Sequence, residues 1–420
     1  MSTHRAAGAP LLIAIVALFF IWGGITSLND VLIPKLKDLF RLSYAQAMLI
    51  QFAFFTAYAV VSVPAGGLVA RLGYGRGIVA GLAIMGGSCL LFVPAASTAS
   101  YPLFLGALFA LAGGITILQV AANPLIVDFG APDRAHSRLT LAQAFNALGT
   151  TMLPFVGAQL ILGDVAGRSS ADLSGAALSA FQAREAAVVG HGYLGIALLL
   201  FAIAALFWMW RDRLGRGDGQ AVRLSGSLKL LREHPRLAFG VVAIFLYVGA
   251  EVTIGSFLVN YLMLPSTLGL DERSAGHHIS LYWGGAMVGR FIGALLLRRI
   301  AGGRLLCAVA IGATTLALLS SASGGALAAW SLLAVGLMNA IMFPTIFSLA
   351  VERMGVETPR ASGLLCMAIV GGALVPLCAG RVADAGTIAQ ALLVPAICYA
   401  VIAGFGWYAR HPASTRLTTP

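Results

Sequence analysis

Apolar stretches of roughly 20 or more residues recur along the whole chain, and short polar segments separate them. As an α-helix, a stretch of that length crosses the ~30 Å hydrocarbon core of a bilayer. The pattern therefore predicts an all-α integral membrane protein with 12 transmembrane helices. The predicted spans are residues 10–34, 46–70, 76–96, 101–128, 139–163, 190–210, 237–263, 275–299, 303–323, 326–353, 360–384 and 388–409.

Landmarks in the first six spans recur in the last six at nearly constant spacing. In spans five and eleven, three pairs share one identical offset along the chain: Arg138 with Arg360, Gly149 with Gly371, and Pro154 with Pro376. In spans four and ten, two pairs share an almost equal offset: Gln119 with Asn339, and Pro124 with Pro344. Such repeats are typical of membrane carriers. We predict two pseudo-symmetric six-helix halves, residues 1–210 and 237–420, joined by a basic cytoplasmic linker at 211–236.

Composition and charge agree with a membrane protein. Hydrophobic residues make up 59% of the chain and charged residues 10%, whereas soluble domains hold about 25% charged residues. Most of the Lys and Arg residues lie in the linker or on the predicted N-terminal side of the membrane. That bias places both termini in the cytoplasm. It also accounts for the net charge of +11, so we expect the lipid bilayer as a partner and no nucleic acid.

The first apolar stretch resembles a signal peptide only in its short basic start. No small-residue cleavage site follows it, and the segment runs on into Asn29 and Asp30, so we predict a retained first helix. Five isolated cysteines lie in apolar stretches and are expected to be small buried residues: Cys89, Cys307, Cys366, Cys378 and Cys398. We find no phosphate-binding loop, nucleophile motif or metal motif. We therefore predict no enzymatic activity, no cofactor and no metal.

Three ionisable residues fall within or near the ends of predicted spans, where a charge costs at least ~2.5–3.5 kcal/mol. Asp30 is either an interfacial acid paired with Lys35 or Lys37, or a protonatable group facing a cavity. Glu251 has no Lys or Arg within two turns on its span, so it is either a proton or hydroxyl acceptor or a structural hydrogen-bond partner. For Arg290 we favour a structural role, with pairing to a buried acid as the alternative.

Carboxamides form a second polar set within the spans. Gln119 and Asn123 share one face of span four at i, i+4, and Gln143 and Asn146 share one face of span five at i, i+3. Asn339 is the counterpart of Gln119. Such amides either bond across helices or line a wet cavity suited to a polyhydroxy solute. Five aromatic residues either pack or form flat walls for a sugar ring: Trp22, Tyr58, Tyr247, Tyr282 and Trp283.

Several of these residues stand in motifs that resemble one family. The motifs are LNDVLIP at 28–34, LQVAANP at 118–124, LAQAFN at 141–146, YVGAEVTIGSF at 247–257 and PTIFSL at 344–349. They resemble the fucose/glucose–galactose permease family of the major facilitator superfamily. The Gly/Arg loop at 67–76 is similar to that superfamily's loop signature, except that Ala70 stands where an Asp is usual.

The resemblance implies a monomeric sugar importer of the bacterial inner membrane, commonly coupled to protons. The family's coupling acid in span one corresponds to Asp30, whereas its second acid is replaced here by Gln119. The fucose type has a carboxamide where this chain has Glu251, which favours glucose, galactose or an N-acetylhexosamine over fucose. We expect a glucose/galactose type, with a fucose or N-acetylglucosamine permease as the alternative. The expected proton-coupling residues are Asp30 and Glu251. The expected sugar-binding residues are Asn29, Gln119, Asn123, Gln143, Asn146, Glu251, Asn339, Trp22, Tyr58, Tyr247 and Trp283.

Two other functions compete with this prediction. A drug or metabolite efflux antiporter tends to have a broad apolar cavity, and the amides and the motifs argue against one. A non-transporting membrane sensor or scaffold would not need buried acids in both halves of the chain.

Overall fold

The structure is a computed structural model that describes residues 9–39, 44–98, 100–162, 175–214 and 224–411. Every regular element in those ranges is helical. The first half of the chain contains six long helices: α1 (Ala9–Leu39), α2 (Tyr44–Leu72), α3 (Tyr74–Ser97), α4 (Tyr101–Asp128), α5 (Ala135–Leu162) and α6 (Gly175–Trp210). A short helix, α7 (Leu224–Glu233), lies in the basic linker.

The second half begins with three unbroken helices, α8 (Pro235–Met263), α9 (Glu272–Leu296) and α10 (Gly302–Ala322). Its last three spans are interrupted. Span ten consists of α11 (Gly325–Asn339) and α12 (Met342–Ala350). Span eleven consists of α13 (Thr358–Met367), one 3₁₀ turn (Ala368–Val370) and α14 (Gly371–Ala385), and span twelve of α15 (Ile388–Ala391) and α16 (Leu393–Tyr408).

Eleven helical stretches among the described residues are long and apolar enough to cross a membrane. The helix α5, 28 residues long, occupies the remaining predicted span. The predicted all-α membrane fold is therefore confirmed. Cys89, Cys366 and Cys398 are buried as predicted, but the prediction was wrong for Cys378, which is exposed, and for Cys307, which is only partly buried. Because lipid and protein core are both apolar, the hydrophobic pattern does not distinguish a lipid-facing cysteine from a core one.

The chain separates into two compact units. The first comprises Met1–Leu125 and Phe145–Val222, and the second comprises Ile126–Ala144 and Arg223–Pro420. The start of α5 thus packs with the second unit, where the Ser137 hydroxyl donates to the carbonyl of Ala294 at 2.7 Å. The predicted boundaries of the two halves and the linker stay a prediction.

Glycine contacts show the internal repeat in the packing of each unit. In the first unit, a Cβ at Gly149 would overlap the Phe20 carbonyl oxygen, so α5 and α1 meet backbone to backbone. In the second unit, a Cβ at Gly371 would overlap the Phe245 carbonyl oxygen in the same way. The neighbouring contacts also correspond: Gly24 meets Leu153, and Gly249 meets Val375. The constant offset found in the sequence therefore marks equivalent helix contacts.

Candidate functional site

A cluster of polar side chains lies inside the second unit, where α8, α9, α11 and α16 contribute to it. On α8, Tyr247 and Glu251 stand one helical turn apart and share one face of the helix. The Tyr247 hydroxyl lies 2.8 Å from Glu251 Oε1 and 3.2 Å from the backbone carbonyl oxygen of Asn339. We refer to Glu251, Tyr247, Asn339, Tyr282 and Tyr399 as the carboxyl cluster.

The Asn339 side chain joins two further helices to this cluster. Its Nδ2 donates to the Tyr282 hydroxyl of α9 at 2.8 Å. Its Oδ1 is buried and has no hydrogen-bond partner by geometry among the described residues. The Tyr399 hydroxyl of α16 is buried in the same way, and it lies close enough to interact with the Asn339 amide. The Tyr399 hydroxyl and the Asn339 amide therefore have each other as neighbours and make no other hydrogen bond of good geometry at these two atoms among the described residues.

The break in span ten positions Asn339. Pro344 lacks an N–H, so the carbonyl of Ala340, one turn earlier, loses its usual helical donor. Arg290 of α9 replaces that donor, with its Nε 3.3 Å from the Ala340 oxygen. The Arg290 guanidinium also interacts electrostatically with Glu251. The hydrogen bond to Ala340 fits the structural role, whereas toward Glu251 the described residues show an electrostatic interaction and no ion pair.

Accessibility separates Glu251 from the rest of the carboxyl cluster. Tyr247, Tyr282, Asn339 and Tyr399 are buried, whereas Glu251 remains partly accessible. No hydrogen bond within the described residues occupies Glu251 Oε2, while Oε1 accepts from Tyr247. Oε2 is thus the carboxyl oxygen that remains available as a hydrogen-bond acceptor. Trp283 is also accessible, and its ring packs edge-on against Tyr282 with the centroids 5.1 Å apart.

The first unit has no carboxylate at the equivalent position. Phe20 and Gly24 of α1 make the same contacts as Phe245 and Gly249 of α8, and both pairs stand at one common offset in the sequence. By that offset, Thr26 is the counterpart of Glu251. The Thr26 hydroxyl donates to its own helix, at the Trp22 carbonyl, at 2.9 Å. The second unit therefore carries an ionisable group at this position, whereas the equivalent hydroxyl of the first unit is hydrogen-bonded within its own helix.

The predicted amides of the first unit lie on α4 and α5. Gln119 and Asn123 are buried on α4, and this helix continues unbroken through Pro124. The Gln119 Oε1 has no hydrogen-bond partner in the described part of the chain. The Asn146 Nδ2 donates to the Phe19 carbonyl of α1 at 3.0 Å, which supports its interpretation as a bond across helices. Gln143 is buried in the part of α5 that groups with the second unit.

The predicted aromatic residues of the first unit are largely covered. Trp22 lies beside Phe19 with ring centroids 5.1 Å apart, and Tyr58 lies beside Phe54 at 5.5 Å. Each has 5% of its surface exposed, which is typical of packing residues. Asn29 and Asp30 fall within the backbone of α1, but their side chains lie outside the described part of the chain.

The structure brings together three of the predicted site residues, Glu251, Tyr247 and Asn339, with Trp283 adjacent. It adds Tyr399, which sequence reasoning missed. Tyr399 sits in an otherwise apolar span and has no motif around it, so its only sequence signal is a phenol at membrane depth. Described residues include no group of His, Cys, Asp or Glu that could hold a metal ion.

The sequence profile of the Major Facilitator Superfamily matches residues 11–376 of the chain. The chain belongs to this superfamily. It is 51% identical over 397 residues to a glucose/galactose transporter of Brucella abortus, covering 94% of this chain and 93% of that protein. It is 34% identical to the L-fucose-proton symporter of Escherichia coli, covering 95% and 92% of the two chains.

The fold is also found among solved structures. The crystal structure of the transporter FucP in the outward conformation superposes with a TM-score of 0.88 at 33% identity, covering 96% of this chain and 99% of that one. The resemblance to the fucose/glucose–galactose permease family is therefore confirmed, and so is the all-α major facilitator fold, for which the described residues supply eleven candidate spans and α5 occupies the twelfth predicted one. These relatives are named as a transporter and a symporter, so the prediction that the chain is not an enzyme is confirmed as well.

Proposed function

We propose that this protein imports a neutral hexose of the glucose/galactose type by proton symport. Support comes from the similarity to the Brucella abortus glucose/galactose transporter and from the proton coupling named for the Escherichia coli relative. The observation that carries the proposal is Glu251, a carboxyl group partly accessible within a membrane helix and held by Tyr247. A carboxylate accepts hydrogen bonds from sugar hydroxyls and can exchange a proton, and an apolar drug site does not require an acceptor for hydroxyl groups.

The hexose would bind Glu251 through its free Oε2. In that position, Trp283 offers an accessible aromatic face, which suits the apolar face of a sugar ring. In the first unit, Gln119 has an Oε1 without a hydrogen-bond partner among the described residues, and we retain it as a proposed sugar-binding residue. The other proposed sugar-binding residues are Asn29, Asn123, Gln143, Asn146, Asn339, Trp22, Tyr58 and Tyr247.

Proton coupling would fall to Asp30 and Glu251. A coupling group must take up a proton on one side of the membrane and release it on the other, and among the side chains of these spans carboxyl groups meet that requirement. The two halves would expose the site alternately to the two sides. We further propose a monomer in the bacterial inner membrane, with both termini and the linker in the cytoplasm, as the distribution of Lys and Arg indicates.

A fucose or N-acetylglucosamine permease is the second candidate, favoured by the 34% identity to the L-fucose-proton symporter. Gln119 and Glu251 argue against the fucose type. By the family resemblance, that type has an acid at the position of Gln119 and a carboxamide at the position of Glu251. An efflux antiporter has no specific support in the carboxyl cluster.

The proposal is tested by reconstituting the full chain into vesicles and offering labelled sugars singly. We expect saturable uptake of glucose or galactose that unlabelled glucose and galactose inhibit and that fucose and N-acetylglucosamine inhibit poorly. A stronger inhibition by fucose would establish the second candidate instead. The absence of saturable uptake of all four sugars would refute sugar import.

A further inference from the structure

The Tyr247 hydroxyl faces two acceptors but has one proton to donate. Glu251 Oε1 lies at 2.8 Å and the Asn339 carbonyl at 3.2 Å, and a phenol donates a single hydrogen bond at a time. Which acceptor receives that proton depends on Glu251. An ionised carboxylate can only accept, so it takes the Tyr247 proton and leaves the Asn339 carbonyl without it. A protonated carboxyl group can donate to the Tyr247 oxygen, which frees the Tyr247 proton for Asn339.

We propose that Tyr247 is a positioning residue that transmits the protonation state of Glu251 to the break in span ten. When Glu251 carries a proton, a chain of hydrogen bonds runs from the carboxyl group through Tyr247 to the Asn339 carbonyl and ties α8 to α11. When Glu251 releases that proton to water, the Tyr247 hydroxyl turns to the carboxylate and the tie is lost. Protons balance in this step, because the phenol keeps its own proton throughout.

The break is the part of the helix where such a tie has the largest effect. The Ala340 carbonyl has no helical donor because of Pro344, and the ladder resumes where the Thr345 N–H donates to Ile341 at 3.0 Å. Two side chains from neighbouring helices therefore hold the carbonyls that end α11: Tyr247 at Asn339 and Arg290 at Ala340. The Arg290 contact does not involve the Tyr247 proton, so it is separate from the switch at Asn339.

The groups that face Glu251 come from three helices. Tyr247 lies on its own helix α8, Arg290 and Tyr282 lie on α9, and Tyr399 lies on α16. Among them, Arg290 carries a charge and also reaches the backbone of span ten, at Ala340. Tyr247 differs in that its single hydroxyl proton can go either to the carboxyl group or to the Asn339 carbonyl. This arrangement favours Tyr247 over Tyr282 and Tyr399 as the transmitting residue.

The inference rests on the proposed function only in treating Glu251 as a group that gains and loses a proton, and its test requires no sugar. Hydrogen–deuterium exchange of residues 336–347 is measured by mass spectrometry in the purified full chain and in Tyr247→Phe, from about pD 5 to about pD 9, a range in which a buried carboxyl group can titrate. Comparing variants at the same pD cancels the intrinsic exchange rate. One lost hydrogen bond should raise the opening of the break about twofold to tenfold.

We expect Tyr247→Phe to exchange faster than the unsubstituted chain at low pD and at the same rate at high pD. Glu251→Gln, whose amide can donate to the Tyr247 oxygen, should stay protected at every pD. Tyr261→Phe is the matched control, since Tyr261 lies on the same helix and donates to the Ser320 carbonyl at 2.8 Å without contacting Glu251; it should leave residues 336–347 unchanged.

Two results would overturn the proposal. An equal rate difference at every pD would make Tyr247 an ordinary structural hydrogen bond, and no difference at any pD would show that it does not hold the break. Uptake by the unsubstituted chain is a separate measurement. If it fails for every hexose while the exchange depends on pD as expected, the proposed function is refuted and the role of Tyr247 is retained.

Discussion

Replacing Glu251 with Gln tests whether the carboxyl group binds the sugar, because it keeps the shape of the side chain and removes its charge. In the structure, Oε1 accepts from Tyr247 at 2.8 Å and Oε2 is free for a ligand. Hydrogen bonds to a charged group contribute about 1.5–3 kcal/mol, against about 1 kcal/mol between neutral groups. Losing that difference at one sugar hydroxyl should cost about 0.5–2 kcal/mol, which corresponds to roughly twofold to thirtyfold weaker binding.

The assay is binding of labelled glucose or galactose to the purified protein, together with uptake into reconstituted vesicles. Asp212→Asn makes the same chemical change at an exposed site, where Asp212 pairs with Arg76 at 3.5 Å and both side chains are nearly half exposed. Such a pair contributes at most about 1 kcal/mol to stability, so this control should bind sugar normally. Unchanged affinity and rate in Glu251→Gln would remove Glu251 from the site.

Three further predictions concern other parts of the chain. Asp30→Asn mimics a permanently protonated acid, so it should keep exchange of labelled for unlabelled sugar and lose uphill uptake driven by a pH gradient; retained uphill uptake would exclude Asp30 from coupling. Gln119→Glu should add a pH dependence or shift preference toward fucose in competition uptake, whereas an unchanged profile would make Gln119 a helix–helix contact. Gly371→Ala should lower the free energy of unfolding by about 1–3 kcal/mol because the new Cβ overlaps the Phe245 carbonyl. Gly380→Ala is the control, since it lies on the same helix where the space is open. Equal melting temperatures of the two variants would contradict the close contact of α8 with α14.

The fold was predictable because length and hydropathy determine which segments can cross a membrane. The constant offset between spans five and eleven also predicted equivalent contacts, and the structure shows them at Gly149 and Gly371. The breaks in spans ten and eleven were less predictable. Pro124 and Pro344 occupy corresponding positions, yet α4 continues through the first and span ten is broken just before the second. A proline determines which carbonyl loses its donor, but the packing around it determines whether the helix breaks.

The candidate site was predictable only in part, for a related reason. Glu251 stands out because a carboxyl group is rare at membrane depth, and its contact with Tyr247 follows from their spacing on one helix. Asn146 has the same chemistry as Asn339, yet it bonds to the Phe19 carbonyl across two helices. The role of Tyr399 depends on a contact between distant spans, α16 and α11, which no local pattern reveals. The direction in which an amide or phenol points is set by tertiary packing.

The central claim, hexose import driven by protons, is tested most directly by uptake of labelled glucose or galactose into vesicles containing the full chain, with an inward pH gradient and without one. We expect accumulation above the outside concentration when the gradient is imposed, and only equilibration when the gradient is absent or a protonophore dissipates it. Equal uptake under both conditions would contradict proton coupling. No saturable uptake of either sugar, from correctly folded protein, would contradict hexose transport itself.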